Sequence, residues 1–210
     1  MVIGKDFVWA HLAKAGGETT HALFRLFPDL IEFADKAHTV AQHTAFEDRL
    51  DQVAGKQRVL NIRRLPSWML SFHVWKSIVG LLPDFETAPM LSPHEIAESN
   101  VADAFLARYR KPEEPTIDVW LRTEHIVDDF LAFIAQHTEV TAEKEEAART
   151  LPRVNEHVYD KRIDHWFTSA HIRLMYLSNP AWTAVETAVY GQTADGFGPK
   201  GQPLAAASRS

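Results

Sequence analysis

Phe7-Val8-Trp9-Ala10-His11-Leu12-Ala13-Lys14-Ala15-Gly16-Gly17-Glu18-Thr19-Thr20 is the stretch on which the fold turns. Residues 7–12 form a short, almost continuous apolar run, the pattern of a buried parallel strand and too short for a helix. The Gly16-Gly17 pair interrupts it. From Glu18 onward Ala22, Leu23, Leu26 and Phe27 recur at helical spacing until Pro28 stops them. Strand, glycine loop and helix therefore follow one another directly. A turn of this kind aims backbone N–H groups and the positive end of a helix at a single anion, and Lys14 adds a point charge on the strand side. Gly16 and Gly17 allow close backbone approach, and the hydroxyls of Thr19 and Thr20 can donate to phosphate oxygens.

Further along, residues 59–63 give a second strand, followed by a helix that Pro66 opens and that carries Trp68, Met69, Phe72 and Trp75. Residues 117–121 give a third, followed by a helix with Ile126, Val127, Phe130, Leu131 and Ile134. Strands alternating with helices predict an α/β fold with a parallel β-sheet flanked by helices. Residues 93–109, 142–149 and 168–178 each read as one helix, which makes the C-terminal half helical. From Gly191 the chain is too poor in apolar residues to pack, so residues 1–190 are expected to form one domain and 191–210 a mobile tail.

The 210 residues, 46% hydrophobic and 24% charged, suit one globular domain. A net charge of −6 argues against a nucleic-acid-coating protein, which needs a basic face. With no cysteine, disulfides, thiolate metal sites and cysteine nucleophiles are excluded. No apolar stretch reaches the ~18 residues of a membrane span, and the N-terminus enters a strand pattern without a signal core. The expectation is a cytoplasmic protein.

Residues 11–20, His-Leu-Ala-Lys-Ala-Gly-Gly-Glu-Thr-Thr, lack the nucleotide-triphosphatase order, in which lysine follows the last glycine. They resemble instead the 5'-phosphosulfate loop of sulfotransferases that use 3'-phosphoadenosine 5'-phosphosulfate (PAPS), especially the carbohydrate-type branch, and depart from it at Ala13, Ala15 and Glu18. Residues 59–71, Val-Leu-Asn-Ile-Arg-Arg-Leu-Pro-Ser-Trp-Met-Leu-Ser, are similar to that family's 3'-phosphate motif, an arginine at a strand end and a serine eight positions later. Carried over by position, Lys14, Ala15, Gly16, Gly17, Glu18, Thr19 and Thr20 would hold the 5' side of PAPS, and Arg63 and Ser71 the 3'-phosphate. Proline follows Arg63 by three positions instead of two, so Arg64 is an alternative to Arg63. The segment Trp120-Leu121-Arg122-Thr123-Glu124-His125 looks like a late-strand element of the same family, with a structural Arg122–Glu124 pair as the plainer reading.

The resemblance implies a P-loop-like three-layer sandwich and transfer of a sulfuryl group to a hydroxyl of a small molecule or carbohydrate. Lys14 would stabilise the leaving phosphate, with no metal required. His43, between the two motifs, matches the position of a catalytic histidine in the carbohydrate branch, and an imidazole titrating near neutrality can take the hydroxyl proton. Glu47 could orient it or be the base itself. A nucleotide-kinase-like phosphotransferase and a non-catalytic binding member of the same fold are the alternatives. His157, Asp160, Asp164 and His165 read as a solvated face, and Trp68, Phe72 and Trp75 as core.

Overall fold

The computed structural model describes residues 1–36, 43–79, 92–110, 117–152 and 158–194. The chain falls into two compact units, one made of residues 1–63 and 107–158, the other of residues 64–106 and 159–210.

The first unit is built on a five-stranded sheet. Its strands are β1 (Val2–Gly4), β2 (Phe7–Ala10), β3 (Ile31–Ala34), β4 (Gln57–Ile62) and β5 (Val119–Arg122), in the order β3-β1-β2-β4-β5. β2, β4 and β5 are parallel, with Trp9 opposite Val59 and Val59 opposite Val119. β1 runs antiparallel to both β2 and β3. The all-parallel expectation is therefore corrected to a mixed sheet. The reason is local: only Lys5 and Asp6 separate β1 from β2, too few residues for a crossover and enough for a hairpin. Lys56 ties that hairpin down by donating to the carbonyls of Gly4 at 2.6 Å and Lys5 at 2.5 Å.

Helix α1 (Gly17–Phe24) crosses from β2, and α6 (Ile126–Ile134) packs against both α1 and β5. Their apolar faces meet the sheet in an aromatic core. Phe7 stacks on Phe24 with centroids 5.7 Å apart and meets Phe133 edge-on at 5.1 Å, while Phe24 meets Phe130 edge-on at 4.9 Å. Burying such rings contributes ~2–3 kcal/mol each before ordering costs. α2 (Leu50–Val53) precedes β4, and α7 (Ala142–Arg149), capped by the Thr141 hydroxyl, packs on α6.

The second unit is helical among the described residues: α3 (Leu65–Ile78), α4 (Pro93–Glu98), α5 (Val101–Leu106), α8 (Ile163–Trp166), α9 (Ser169–Ser178) and α10 (Pro180–Tyr190). Trp68 and Trp182 are fully buried with centroids 5.0 Å apart, and Phe72 stacks on Trp68 at 5.1 Å. These aromatics are core. The helix expected over 93–109 is broken at Ser99 and Asn100, because a remote side chain caps the second piece. Asn179 Oδ1 accepts from the N–H groups of Ala102 and Asp103 at 3.1 and 3.2 Å, and its Nδ2 donates to the carbonyls of Ser99 and Met175 at 2.8 and 2.9 Å. Asp103 returns the favour, accepting from the N–H groups of Ala181 and Trp182 that open α10.

Of the tail expected over 191–210, residues 191–194 are described: Thr193 is buried, the other three are exposed, and the Ala194 N–H donates to the Tyr176 hydroxyl at 2.8 Å. Residues 195–210 lie outside the described residues. No helix among the described residues is long and apolar enough to cross a membrane.

His73 on α3 is 2% exposed, and burial, reinforced by the Lys76 charge, pushes its imidazole down to about 4. A histidine depressed in the folded state contributes stability above its unfolded pKa of ~6.5 that is lost as pH falls toward the folded value, here at most about 3 kcal/mol. Acid unfolding of His73→Gln is therefore expected to show a shallower loss of stability between pH 6.5 and 4 than the wild-type chain in urea titrations. Parallel slopes for the two proteins would remove His73 from the account.

Candidate functional site

The loop after β2 is held in a shape that few sequences tolerate. Lys14 has φ 64° and Gly16 φ 84°, so two left-handed residues flank Ala15. For lysine this backbone state costs ~1 kcal/mol or more, and such outliers cluster at binding sites. Gly16 is the residue before α1, and no side chain caps the helix there. A Cβ on Gly16 would lie 2.9 Å from Ile126 Cδ1, so both backbone angle and space call for glycine.

Buried hydrogen bonds fix this loop to the sheet. Trp9 Nε1 donates to Asn61 Oδ1 at 2.5 Å, Asn61 Nδ2 donates to Thr20 Oγ1 at 2.9 Å, and the Thr20 hydroxyl donates to the Gly16 carbonyl at 3.2 Å. The Thr20 hydroxyl is thus committed within the protein, on a side chain that is fully buried. Thr123, just past β5, shares its hydroxyl proton between the carbonyls of Ala15 at 2.9 Å and Ile62 at 3.0 Å. A loop carbonyl and the end of β4 are thereby tied through one side chain. Ala15 is fully buried, whereas Glu18 and Thr19 are half-buried on the first turn of α1.

Two cations meet at the loop. Arg63 follows β4, and its Nη1 donates to the Lys14 carbonyl at 3.3 Å. Burial, with the Arg63 charge adding to it, lowers the Lys14 ammonium to about 8. A pair of like charges drawn together at a partly buried loop favours an anion there. Arg64 has partners in the second unit: Glu186 Oε1 at 3.1 Å, the Gln192 carbonyl at 2.5 Å and the face of the Tyr190 ring at 4.0 Å. Glu186, fully buried on α10, also accepts from the Leu65 N–H at 2.8 Å and from the Tyr176 hydroxyl at 2.9 Å, closing the start of α3. Burial raises its carboxyl above the ordinary range.

Histidines gather on the other side of the loop. His11, at the end of the β2 segment, is 4% exposed, and its ring rests on Gly17: a Cβ there would come within 1.9 Å of His11 Nε2. The second glycine makes room for an imidazole, a constraint that the motif alone did not reveal. Burial, followed by the neighbouring His43 and His21, pushes His11 down to about 2, so it stays neutral. His43 lies with its ring centroid 4.5 Å from that of His11, and its Nδ1–H donates to the His11 carbonyl at 3.1 Å. With the proton on Nδ1, the lone pair is on Nε2. Burial lowers the His43 pKa, and the Glu18 charge raises it in part. The acidic departure in the loop thus falls within electrostatic reach of the candidate base.

The first unit therefore brings together Lys14, the glycine loop, Arg63 and His43. Glu47 is half-buried in the 3-10 turn Phe46–Arg49 of the same unit, and Ser71 is half-buried on α3 in the second unit. Arg122 makes its ion pair with Asp129, at 2.6 Å. Asp160 pairs with Arg162 at 2.6 Å on an exposed face, and His157 lies outside the described residues. Among the described residues, no three His, Asp or Glu side chains converge as a metal site. Asn61, Thr123 and Tyr109 complete the site without having been singled out in the sequence, since each acts through a partner more than 40 positions away. No family model matches the chain, and no curated protein or solved structure matches it either.

Proposed function

We propose that the chain is a PAPS-dependent sulfotransferase acting on an acceptor hydroxyl. The observation that carries this reading is the hydrogen bond from Arg63 to the Lys14 carbonyl, which draws the cation at the end of β4 onto the glycine loop after β2. Two anion-binding elements on adjacent parallel strands suit a ligand with two separated phosphate groups. The parallel strands β2, β4 and β5 with their helices are the part of the fold that a P-loop-like sandwich would use. Between Arg63 and Arg64, the geometry favours Arg63 as the 3'-phosphate ligand, because Arg64 is anchored to Glu186.

In this reading the acceptor oxygen attacks sulfur as the bond from sulfur to the phosphate oxygen breaks. The acceptor proton goes to His43 Nε2, and the negative charge developing on the leaving phosphate is met by the Lys14 ammonium and the loop amides. The products are the sulfated acceptor and adenosine 3',5'-bisphosphate. A hydroxyl of a small molecule or carbohydrate is the acceptor class, and the cytoplasm its compartment.

Thermal-shift titration with adenosine 3',5'-bisphosphate, against ATP with magnesium, tests the proposal. Preferential stabilisation by the bisphosphate is expected, and Arg63→Ala should abolish the preference. Stabilisation by ATP alone would overturn the reading in favour of a phosphotransferase.

A further inference from the structure

The His11 carbonyl accepts from two side chains at once, His43 Nδ1 at 3.1 Å and the Tyr109 hydroxyl at 2.9 Å. That same hydroxyl lies 3.2 Å from the His43 carbonyl. One phenolic proton is thus shared between the two carbonyls, and a closed ring runs from the His43 imidazole to the His11 main chain, to Tyr109, and back to the His43 main chain. We propose that Tyr109 is a positioning residue: by pinning the main chain of His43 to that of His11, it keeps the imidazole proton on Nδ1 and the lone pair on Nε2 toward the acceptor hydroxyl. The role rests on the reading of His43 as the base.

Three features support it. Tyr109 is 3% exposed, so its hydroxyl has the protein as its surroundings, and burial raises that hydroxyl to about 12, which leaves it a donor throughout the working range of pH. The carbonyl it grips belongs to the residue that directly follows β2, so the anchor is continuous with the sheet. A base displaced by ~1 Å loses a large part of its rate advantage, which gives the anchor a catalytic consequence. The charged groups acting on His43 are the N-terminal ammonium of Met1 and Arg108, which oppose protonation, and Glu18, which favours it; Arg108 and Asp48 act on Tyr109, and the adjacent His11 ring is neutral.

The test is Tyr109→Phe, with the histidine ring nitrogens followed by NMR through a pH titration of the free protein, and turnover measured with PAPS. The wild-type ring is expected as the Nδ1–H tautomer. In the variant a mixture of tautomers is expected, with the His43 midpoint rising by about 0.5 or more toward its ordinary value as the ring gains solvent. Turnover should fall ~10- to 30-fold while the KM for PAPS stays within about twofold. An unchanged tautomer and midpoint in Tyr109→Phe would overturn the positioning role even if turnover falls. A shifted His43 in a protein whose wild type transfers no sulfuryl group would uphold Tyr109 and sink the sulfotransferase reading instead. Should the variant fail to fold, the wild-type spectrum decides: a protected Tyr109 hydroxyl proton close to the His43 Nδ1–H supports the proposal, and an Nε2–H tautomer overturns it.

Discussion

Lys14→Ala is expected to lower the turnover number for sulfuryl transfer by roughly 10²–10³-fold, the usual consequence of removing one preorganised group from developing oxyanion charge. Binding of adenosine 3',5'-bisphosphate should weaken by only about tenfold, since Arg63 and the loop amides remain. The asymmetry follows from when the charge appears: the ground-state phosphosulfate spreads its charge over several oxygens, and the bond to sulfur concentrates it on the leaving phosphate as it breaks. The pH profile carries a second signature. In the proposed mechanism Lys14 acts as the ammonium, and burial holds it down to about 8, so kcat/KM should decline as pH rises through that value. On the acid side the same mechanism needs His43 neutral, and its depressed pKa should place the rise of activity below the usual histidine midpoint. Single-turnover measurements across pH on the wild type and Lys14→Ala check both limbs. Equal losses in binding and turnover would mean that Lys14 only holds the ligand.

Asn179→Ala is expected to destabilise the second unit by about 3 kcal/mol in urea titration, since two N–H groups and two carbonyls lose their buried partner at once. Asn179 is fully buried, so water does not readily replace the amide. Asn179→Asp keeps the acceptor for the Ala102 and Asp103 N–H groups and loses the two donors, so it should fall between the wild type and Asn179→Ala. A stability for the alanine variant within ~0.5 kcal/mol of wild type would show that the break between α4 and α5 is set by the chain itself.

The parts of the fold that the sequence revealed are those whose signal is local. The apolar run before Lys14, the glycines after it and the helical spacing of Leu23 and Phe27 placed β2, the loop and α1 without reference to anything distant. Residues 142–149 were legible for the same reason, with Thr141 as a cap at their start. β1 and β3 were not. β1 has only three residues, too few to specify a partner, and in β3 only Ile31 is even half-buried, so no buried face marks it. The helix read over 93–109 failed because its interruption is specified by Asn179. At the candidate site, residue types at motif spacing singled out Lys14 and Arg63, which the fold brings into contact, but the reason for Gly17 lies in the His11 ring, and the tautomer of His43 lies in the His11 carbonyl. Such constraints exist only after the chain has brought residues 11, 43 and 109 together.

Arg63 and Arg64 are neighbours in the chain with the same chemistry, yet their partners sort them into different units. Selection therefore acts on them through different residues. Position 64 is coupled to position 186, because removing the arginine would leave a buried carboxyl without its counter-ion, whereas position 63 is tied to the loop through the Lys14 carbonyl. Among descendants of this sequence, a change from arginine to an apolar residue at 64 should arrive with an apolar residue at 186 and leave the loop untouched. A loss at 63 should instead travel with decay of the glycines.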